Sequence, residues 1–149
     1  SEMCIETGCS VRPGKLTGKW FRSTTWVDDA RTPVLYVYFY PDGGFLYQMA
    51  YADGATGAWR IEGDTVILWS PDFSIVLDSV LLPYGPRRWP NLNKYTDATD
   101  DNRDRYLVRG NKLYPIMKDG INELPLVKIS KKQAKIELQD YPFYYNVKD

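Results

Sequence analysis

The 149-residue sequence contains no histidine. Histidine is the usual general base near neutral pH, the usual partner of a serine or cysteine nucleophile, and the commonest zinc ligand in proteins. Its absence removes the ordinary nucleophile–base pairs and leaves carboxylates as the remaining acid–base groups. We therefore expect a protein that is not an enzyme and that uses no metal or other cofactor.

The sequence also lacks net charge and long apolar runs. Its 19 lysine and arginine residues equal its 19 aspartate and glutamate residues, so no overall field attracts nucleic acid or an anionic membrane. No apolar run approaches the roughly 20 residues that a membrane-spanning helix needs. We expect no nucleic-acid partner, and membrane contact only through a lipid anchor at the N-terminus.

Cysteine occurs only twice, at Cys4 and Cys9. Two alternatives remain open: a small disulfide loop formed in an oxidising compartment, or a mature lipoprotein with Cys4 as its lipidated residue. The pair favours an exported protein, periplasmic or anchored in a bacterial envelope, and two thiolates alone do not complete a zinc site. Residues 1–15 are predicted to be a flexible segment, and residues 16–149 a single domain.

Residues 33–70 consist of four short apolar runs separated by glycine-bearing polar breaks. The runs are rich in Val, Ile, Tyr, Phe and Trp, a composition typical of strands joined as hairpins. Asp42-Gly43 and Gly63-Asp64 supply residues that adopt positive φ in tight turns at little steric cost. The sequence therefore predicts an all-β fold built as an antiparallel meander.

The segment LTGKW at residues 16–20 resembles the Gly-x-Trp signature that opens the barrel in lipocalins and related calycins. The order of motifs from FYPDGGFLYQ through ATGAWRIEGDTVILWS is similar to that of NlpE-type envelope lipoproteins, although their Cys-x-x-Cys motif is absent. The resemblance implies a lipocalin-like barrel of about eight strands. It also implies structural roles for Gly18 and Trp20, with Trp20 filling the closed end of the barrel and Lys128 packed across its ring.

Two neighbouring predicted strands each carry a face rich in tyrosine. Alternation gives residues 34–40 a face with Tyr36 and Tyr38, and residues 45–51 a face with Tyr47. We expect these tyrosines to form one surface, which lies outward as an interaction surface or inward as the lining of a ligand pocket. A barrel filled entirely by its own side chains is the remaining alternative.

Residues 83–105 form the longest stretch without a strand pattern, and long loops are often functional. Arg88 and Trp89, in its first half, belong to residue types enriched at interface hot spots. Its second half carries an acidic cluster of four residues, Asp97, Asp100, Asp101 and Asp104. We interpret this cluster as a solvated loop, because its spacing does not match an EF-hand calcium site.

The C-terminal region offers a choice between helix and strand. Ser130 begins a capping box before AKIELQ, which predicts a short helix. The alternative is a strand through residues 134–145.

These observations lead to two functional hypotheses. The first is a non-enzymatic envelope protein that takes a small, partly apolar ligand in the barrel mouth. The ligand-binding residues would be Tyr36, Tyr38, Tyr47, Arg88 and Trp89. The alternative is a protein-binding module, such as an inhibitor or an immunity protein against a secreted toxin or an envelope enzyme, that acts through residues 83–105.

Overall fold

Eight antiparallel strands close into a barrel in the part of the chain that the computed structural model describes, which is residues 11–50, 54–69 and 103–139. The described residues form nine strands, eight in the ring and β8 beside it: β1 (Trp20–Ser23), β2 (Leu35–Phe39), β3 (Gly44–Met49), β4 (Gly54–Glu62), β5 (Thr65–Trp69), β6 (Arg103–Arg109), β7 (Lys112–Met117), β8 (Gly120–Ile121) and β9 (Leu126–Ile129). From β1 to β7 each strand pairs with the next. Strand β9 pairs with both β7 and β1 and closes the ring, and β8 pairs with β7 beside it. The predicted all-β barrel is confirmed.

One short helix, α1 (Lys131–Leu138), follows the last strand, as the capping box predicted. The Ser130 side chain accepts a hydrogen bond from the Gln133 backbone amide at 3.0 Å, and so satisfies one of the amides that the first helical turn leaves without a partner. Ala134 and Leu138 are buried against the outer wall of the barrel. The alternative strand is wrong for residues 134–138, while residues 140–149 lie outside the described part.

We expect Ser130→Ala to lower the free energy of unfolding by about 1 kcal/mol, because it removes the acceptor for the Gln133 amide. Urea denaturation followed by circular dichroism measures this change. Ser130→Thr keeps a hydroxyl at the same position and should retain most of the stability. Equal losses in the two variants would contradict a capping role.

One end of the barrel is closed by apolar packing. The short turns β2–β3, β4–β5 and β6–β7 all lie at this end. A 3-10 turn at Pro13–Lys15 leads the N-terminal segment across it, and the Val11 amide donates to the Gly63 carbonyl at 2.8 Å. Val11 and the fully buried Leu16 join an interior cluster whose other members include Phe21, Val37, Phe39, Phe45, Val66, Leu68, Val108, Leu113 and Leu126.

The lipocalin resemblance implied that Trp20 fills the closed end of the barrel, but Trp20 does not lie there. Its ring lies on the outer face of the wall, with its centroid 5.0 Å from that of Tyr38. The register pairs Trp20 with Ile129 and Lys128 with Phe21, so Trp20 and Lys128 lie on opposite faces of the wall. Leu16 takes the interior position instead.

Gly18 sets the start of the first strand. It has φ +73, a left-handed conformation that glycine adopts at little cost, and its amide donates to the Phe39 carbonyl at 2.8 Å. The chain enters β1 directly after this bond, with Trp20 outward and Phe21 inward. The Gly-x-Trp spacing predicts the strand correctly but not the face on which the indole lies.

Candidate ligand site at the barrel mouth

The three tyrosines expected to form one surface are divided between the two faces of the barrel wall. The β2–β3 register pairs Phe39 with Phe45, so odd-numbered residues of both strands share the interior face. Tyr47 therefore points inward, whereas Tyr36 and Tyr38 point outward. A connection one residue shorter would have placed all three on one face, since a one-residue slip exchanges the faces of a strand.

The outward tyrosines lie beneath helix α1. Tyr36 and Tyr38 are buried in an outer cluster together with Trp20, Tyr40, Leu46, Ala134 and Leu138. The Tyr36 hydroxyl donates to Glu137 Oε1 at 2.6 Å. These two side chains therefore join the helix to the wall and do not belong to the interior.

Glu137 is the centre of this helix-to-wall contact. Its Oε2 accepts from Gln133 Nε2 at 2.6 Å and forms an ion pair with Arg22. Burial alone would raise the pKa of Glu137, but hydrogen bonds from Tyr36, Arg22 and Gln133, together with the Arg22 charge, lower it below the usual value. The carboxylate is held in its ionised form.

A cavity of about 730 Å³ lies at the end of the barrel opposite the closed end, and we call it the mouth cavity. Its lining includes Leu35, Tyr47, Met49, Tyr106, Pro115 and Met117. The volume falls within the roughly 300–1,000 Å³ typical of small-molecule sites. The interior is thus packed at the closed end and leaves room for a ligand at the mouth.

The connection between β5 and β6 begins and ends at this end of the barrel. Strand β5 ends and β6 begins at the mouth, so the chain leaves and re-enters the barrel there through residues 70–102. Arg88 and Trp89 belong to that connection and lie outside the described residues, as do Cys4 and Cys9. The predicted loop at 83–105 extends too far, because its last three residues already form part of β6.

Three polar side chains form a hydrogen-bonded chain in the mouth cavity. The Tyr47 hydroxyl donates to Asp104 Oδ2 at 2.9 Å, and the Tyr106 hydroxyl lies 2.9 Å from that of Tyr47. A phenol has a single proton, which Tyr47 gives to the carboxylate, so Tyr106 must donate to the Tyr47 oxygen. Both tyrosines are buried and Asp104 is exposed at the rim.

Asp104 was not recognised as a site residue from the sequence, which placed it in a solvated loop. It lies in β6 instead, on the face that carries Tyr106 and Val108. The available signal was the period-2 spacing of these three residues, since alternate residues of a strand share a face. The preceding run of aspartates obscured it.

The surroundings of the two cavity phenols keep them protonated. Burial is the largest cause that raises the pKa of both Tyr47 and Tyr106, and the charge of Asp104 raises both further. Tyr106 itself also raises the pKa of Tyr47. Both hydroxyls therefore remain neutral donors at neutral pH, which fixes the direction of the chain from Tyr106 to Asp104.

The fold and the site define a small antiparallel β-barrel, packed at one end and carrying a cavity at the other. No family model matches the sequence, and no curated protein matches it. A solved structure of an uncharacterized protein from Bacteroides eggerthii is similar over 76% of this chain and 99% of that one, with 12% identity and a TM-score of 0.41. A likeness at this level carries no argument about function.

The described residues contain no helix long and apolar enough to cross a membrane. They also contain no group of three or more cysteine, aspartate or glutamate side chains placed to hold a metal ion.

Proposed function

We propose that this protein is a non-enzymatic, lipocalin-like binding protein that takes a small, partly apolar ligand into the mouth cavity. The observation that carries the proposal is the cavity itself, which combines an apolar lining with a short polar chain at one place. Such a combination is usual for small-molecule sites, where apolar walls supply affinity and a few polar groups orient the ligand.

The mouth cavity changes the set of residues proposed to contact the ligand. Tyr47 is retained, and Tyr106 and Asp104 join it because they lie in the same hydrogen-bonded chain. Tyr36 and Tyr38 leave the set, since they face the helix. The roles of Arg88 and Trp89 stay a prediction.

The envelope location belongs to the same proposal. It rests on the cysteine pair and on the resemblance to envelope lipoproteins, and Cys4 and Cys9 lie outside the described residues. Mass determination of the protein from its own host would test it, because a lipidated or disulfide-bonded cysteine changes the mass of the N-terminal peptide. An unmodified peptide with two free thiols would count against export.

The alternative, a protein-binding module, is favoured by one surface feature. Trp26 and Val27, adjacent in the connection between β1 and β2, are both exposed large apolar side chains. Exposed apolar patches mark interaction sites, and tryptophan is enriched at interface hot spots. This alternative would be supported by a co-purifying partner protein that the Trp26→Ala variant no longer binds and that a variant with a filled mouth cavity still binds.

Native mass spectrometry of the protein purified from its own host tests the main proposal. We expect a retained small molecule in the wild-type protein and its loss from Met49→Trp, because the larger side chain fills the mouth cavity. Ile136→Trp adds the same side chain to the exposed face of α1 and should keep the ligand. Equal retention by both variants would place the ligand elsewhere and contradict the proposal.

A further inference from the structure

The hydrogen-bond polarity of the chain formed by Tyr106, Tyr47 and Asp104 is one-sided. The single protons of Tyr106 and Tyr47 are both used within the chain that ends on Asp104. Only oxygen lone pairs are left to accept hydrogen bonds from a ligand. They lie on the two phenol oxygens and on Asp104 Oδ1, which has no hydrogen-bond partner among the described residues. These three side chains therefore offer a ligand acceptors and one negative charge, and no donor.

We propose that the mouth cavity binds a small amphiphilic cation, an ammonium group on an apolar body. This inference rests on the proposed function, since it names the class of ligand for the same cavity. An alkylammonium group only donates hydrogen bonds, and its charge is opposite to that of Asp104. Both properties match what the three polar side chains leave available.

The position of the three polar side chains fits a ligand with an ammonium head group and an apolar body. Asp104 lies at the rim, where an ammonium group keeps part of its hydration, and the two buried hydroxyls lie deeper. Leu35, Met49 and the other apolar lining residues surround the space beside them. The aromatic faces of Tyr47 and Tyr106 add a weaker attraction for a cation.

Three cations among the lining residues of the cavity argue for the opposite choice, an anionic ligand. They are Arg103, Arg105 and Lys118. Strand alternation places Arg103 and Arg105 on the face of β6 opposite to Asp104 and Tyr106, and Lys118 is exposed beside the β7–β8 turn.

Burial and the charge of the Asp104 carboxylate both raise the pKa of the Tyr106 phenol in the cavity. An anionic head group in contact with Tyr47, Tyr106 and Asp104 would face a carboxylate and oxygen lone pairs, whereas an ammonium group could donate to them.

Isothermal titration with three probes of equal chain length tests the inference at neutral pH: octylammonium, octanol and octanoate. We expect octylammonium to bind at least about tenfold more tightly than octanol, since a charge-assisted hydrogen bond contributes that much. Octanoate should bind most weakly. Asp104→Asn should bring the affinity for octylammonium down to that for octanol.

Asp64→Asn is the matched control, because Asp64 is an exposed carboxylate in the β4–β5 turn at the closed end. It should leave all three affinities unchanged. Equal binding of octanol and octylammonium by the wild-type protein, or tighter binding of octanoate, would overturn the cation inference and leave the cavity as a ligand site. Failure of every octyl probe to bind would overturn the proposed function itself. The wild-type comparison alone decides between these outcomes if Asp104→Asn does not fold.

Discussion

Above about pH 10, the wild-type protein should lose stability much faster than a variant that carries Tyr47→Phe and Tyr106→Phe. The unfolded chain releases a tyrosine proton near pH 10, whereas burial and the neighbouring Asp104 raise the pKa of both phenols in the folded protein. Between these values the folded state binds more protons than the unfolded state. Stability is therefore complete below about pH 10 and falls as the pH rises towards the folded-state pKa values.

The expected effect of alkaline pH is large because two phenols contribute. Each proton held only by the folded state lowers the free energy of unfolding by about 1.4 kcal/mol per pH unit, so Tyr47 and Tyr106 together give up to about 2.7 kcal/mol per unit. Urea denaturation between about pH 8 and pH 12, followed by circular dichroism, measures this slope. The double variant should show a slope reduced by that amount.

Tyr114→Phe is the control for the loss of a phenol as such. Tyr114 lies in β7 and is not a member of the hydrogen-bonded chain, so its removal should leave the alkaline slope close to that of the wild-type protein. The comparison uses slopes because the double variant also loses hydrogen bonds at neutral pH, about 1 kcal/mol each. Equal slopes in wild-type and double-variant protein would show that the cavity phenols are not buried as described.

The turn residues were sufficient to predict the antiparallel meander, whereas its closure into a barrel was an implication of the lipocalin resemblance. Gly43 and Gly63 both have positive φ, as the Asp-Gly and Gly-Asp pairs indicated, and each lies in a hairpin turn between strands of the predicted composition. The Ser130 cap was predicted for the same kind of reason, since a local side-chain bond determines where the helix begins. Features set by neighbouring residues were therefore accessible from the sequence.

The faces of the strands were not predictable in the same way. Whether Tyr36 and Tyr47 share a face depends on whether the β2–β3 connection contains an odd or an even number of residues between paired positions. The PDGG segment is compatible with either. Because the location of the candidate site depends on this parity, the sequence identified the tyrosines but placed all three on one surface, whereas they lie on two faces of the wall.

The Gly-x-Trp motif, from which Trp20 was predicted to fill the closed end, also does not determine the face on which its tryptophan lies. A second Gly-x-Trp occurs at Gly57-Ala58-Trp59, and its tryptophan packs against the interior cluster, with its ring centroid 5.3 Å from that of Phe39. The Trp59 indole N–H donates to the Tyr40 carbonyl at 3.1 Å. The indole near the interior is thus the one in β4, and the motif alone does not distinguish the two.

The contact between Glu137 and Arg22, which holds α1 on the barrel, leads to a prediction about stability. Glu137→Gln should lower the free energy of unfolding by about 2 kcal/mol at neutral pH, since hydrogen bonds to a charged group contribute about 1.5–3 kcal/mol. The Arg22 and Glu137 side chains are only 27% and 17% exposed, so the guanidinium would lose its counter-charge where water reaches it poorly. Urea denaturation at neutral pH measures the loss.

Glu62→Gln provides a contrast with a surface pair. The Arg60 and Glu62 side chains are 48% and 51% exposed, and pairs of this kind contribute at most about 1 kcal/mol. The larger loss should therefore occur at Glu137, although both substitutions remove one carboxylate charge from an arginine. Equal losses at the two positions would show that burial beneath α1 does not strengthen the contact.

The pH dependence of the Glu137 contact distinguishes a charge effect from a packing effect. The pKa of Glu137 is lowered in the folded protein, so its contribution is complete above its unfolded value of about 4.3 and is lost as the pH falls through the folded value. The stability difference between wild-type protein and Glu137→Gln should shrink over that acidic range. A difference that persists unchanged at low pH would mean that Glu137 acts through its shape and not its charge, and that α1 is held to the wall chiefly by Ala134 and Leu138.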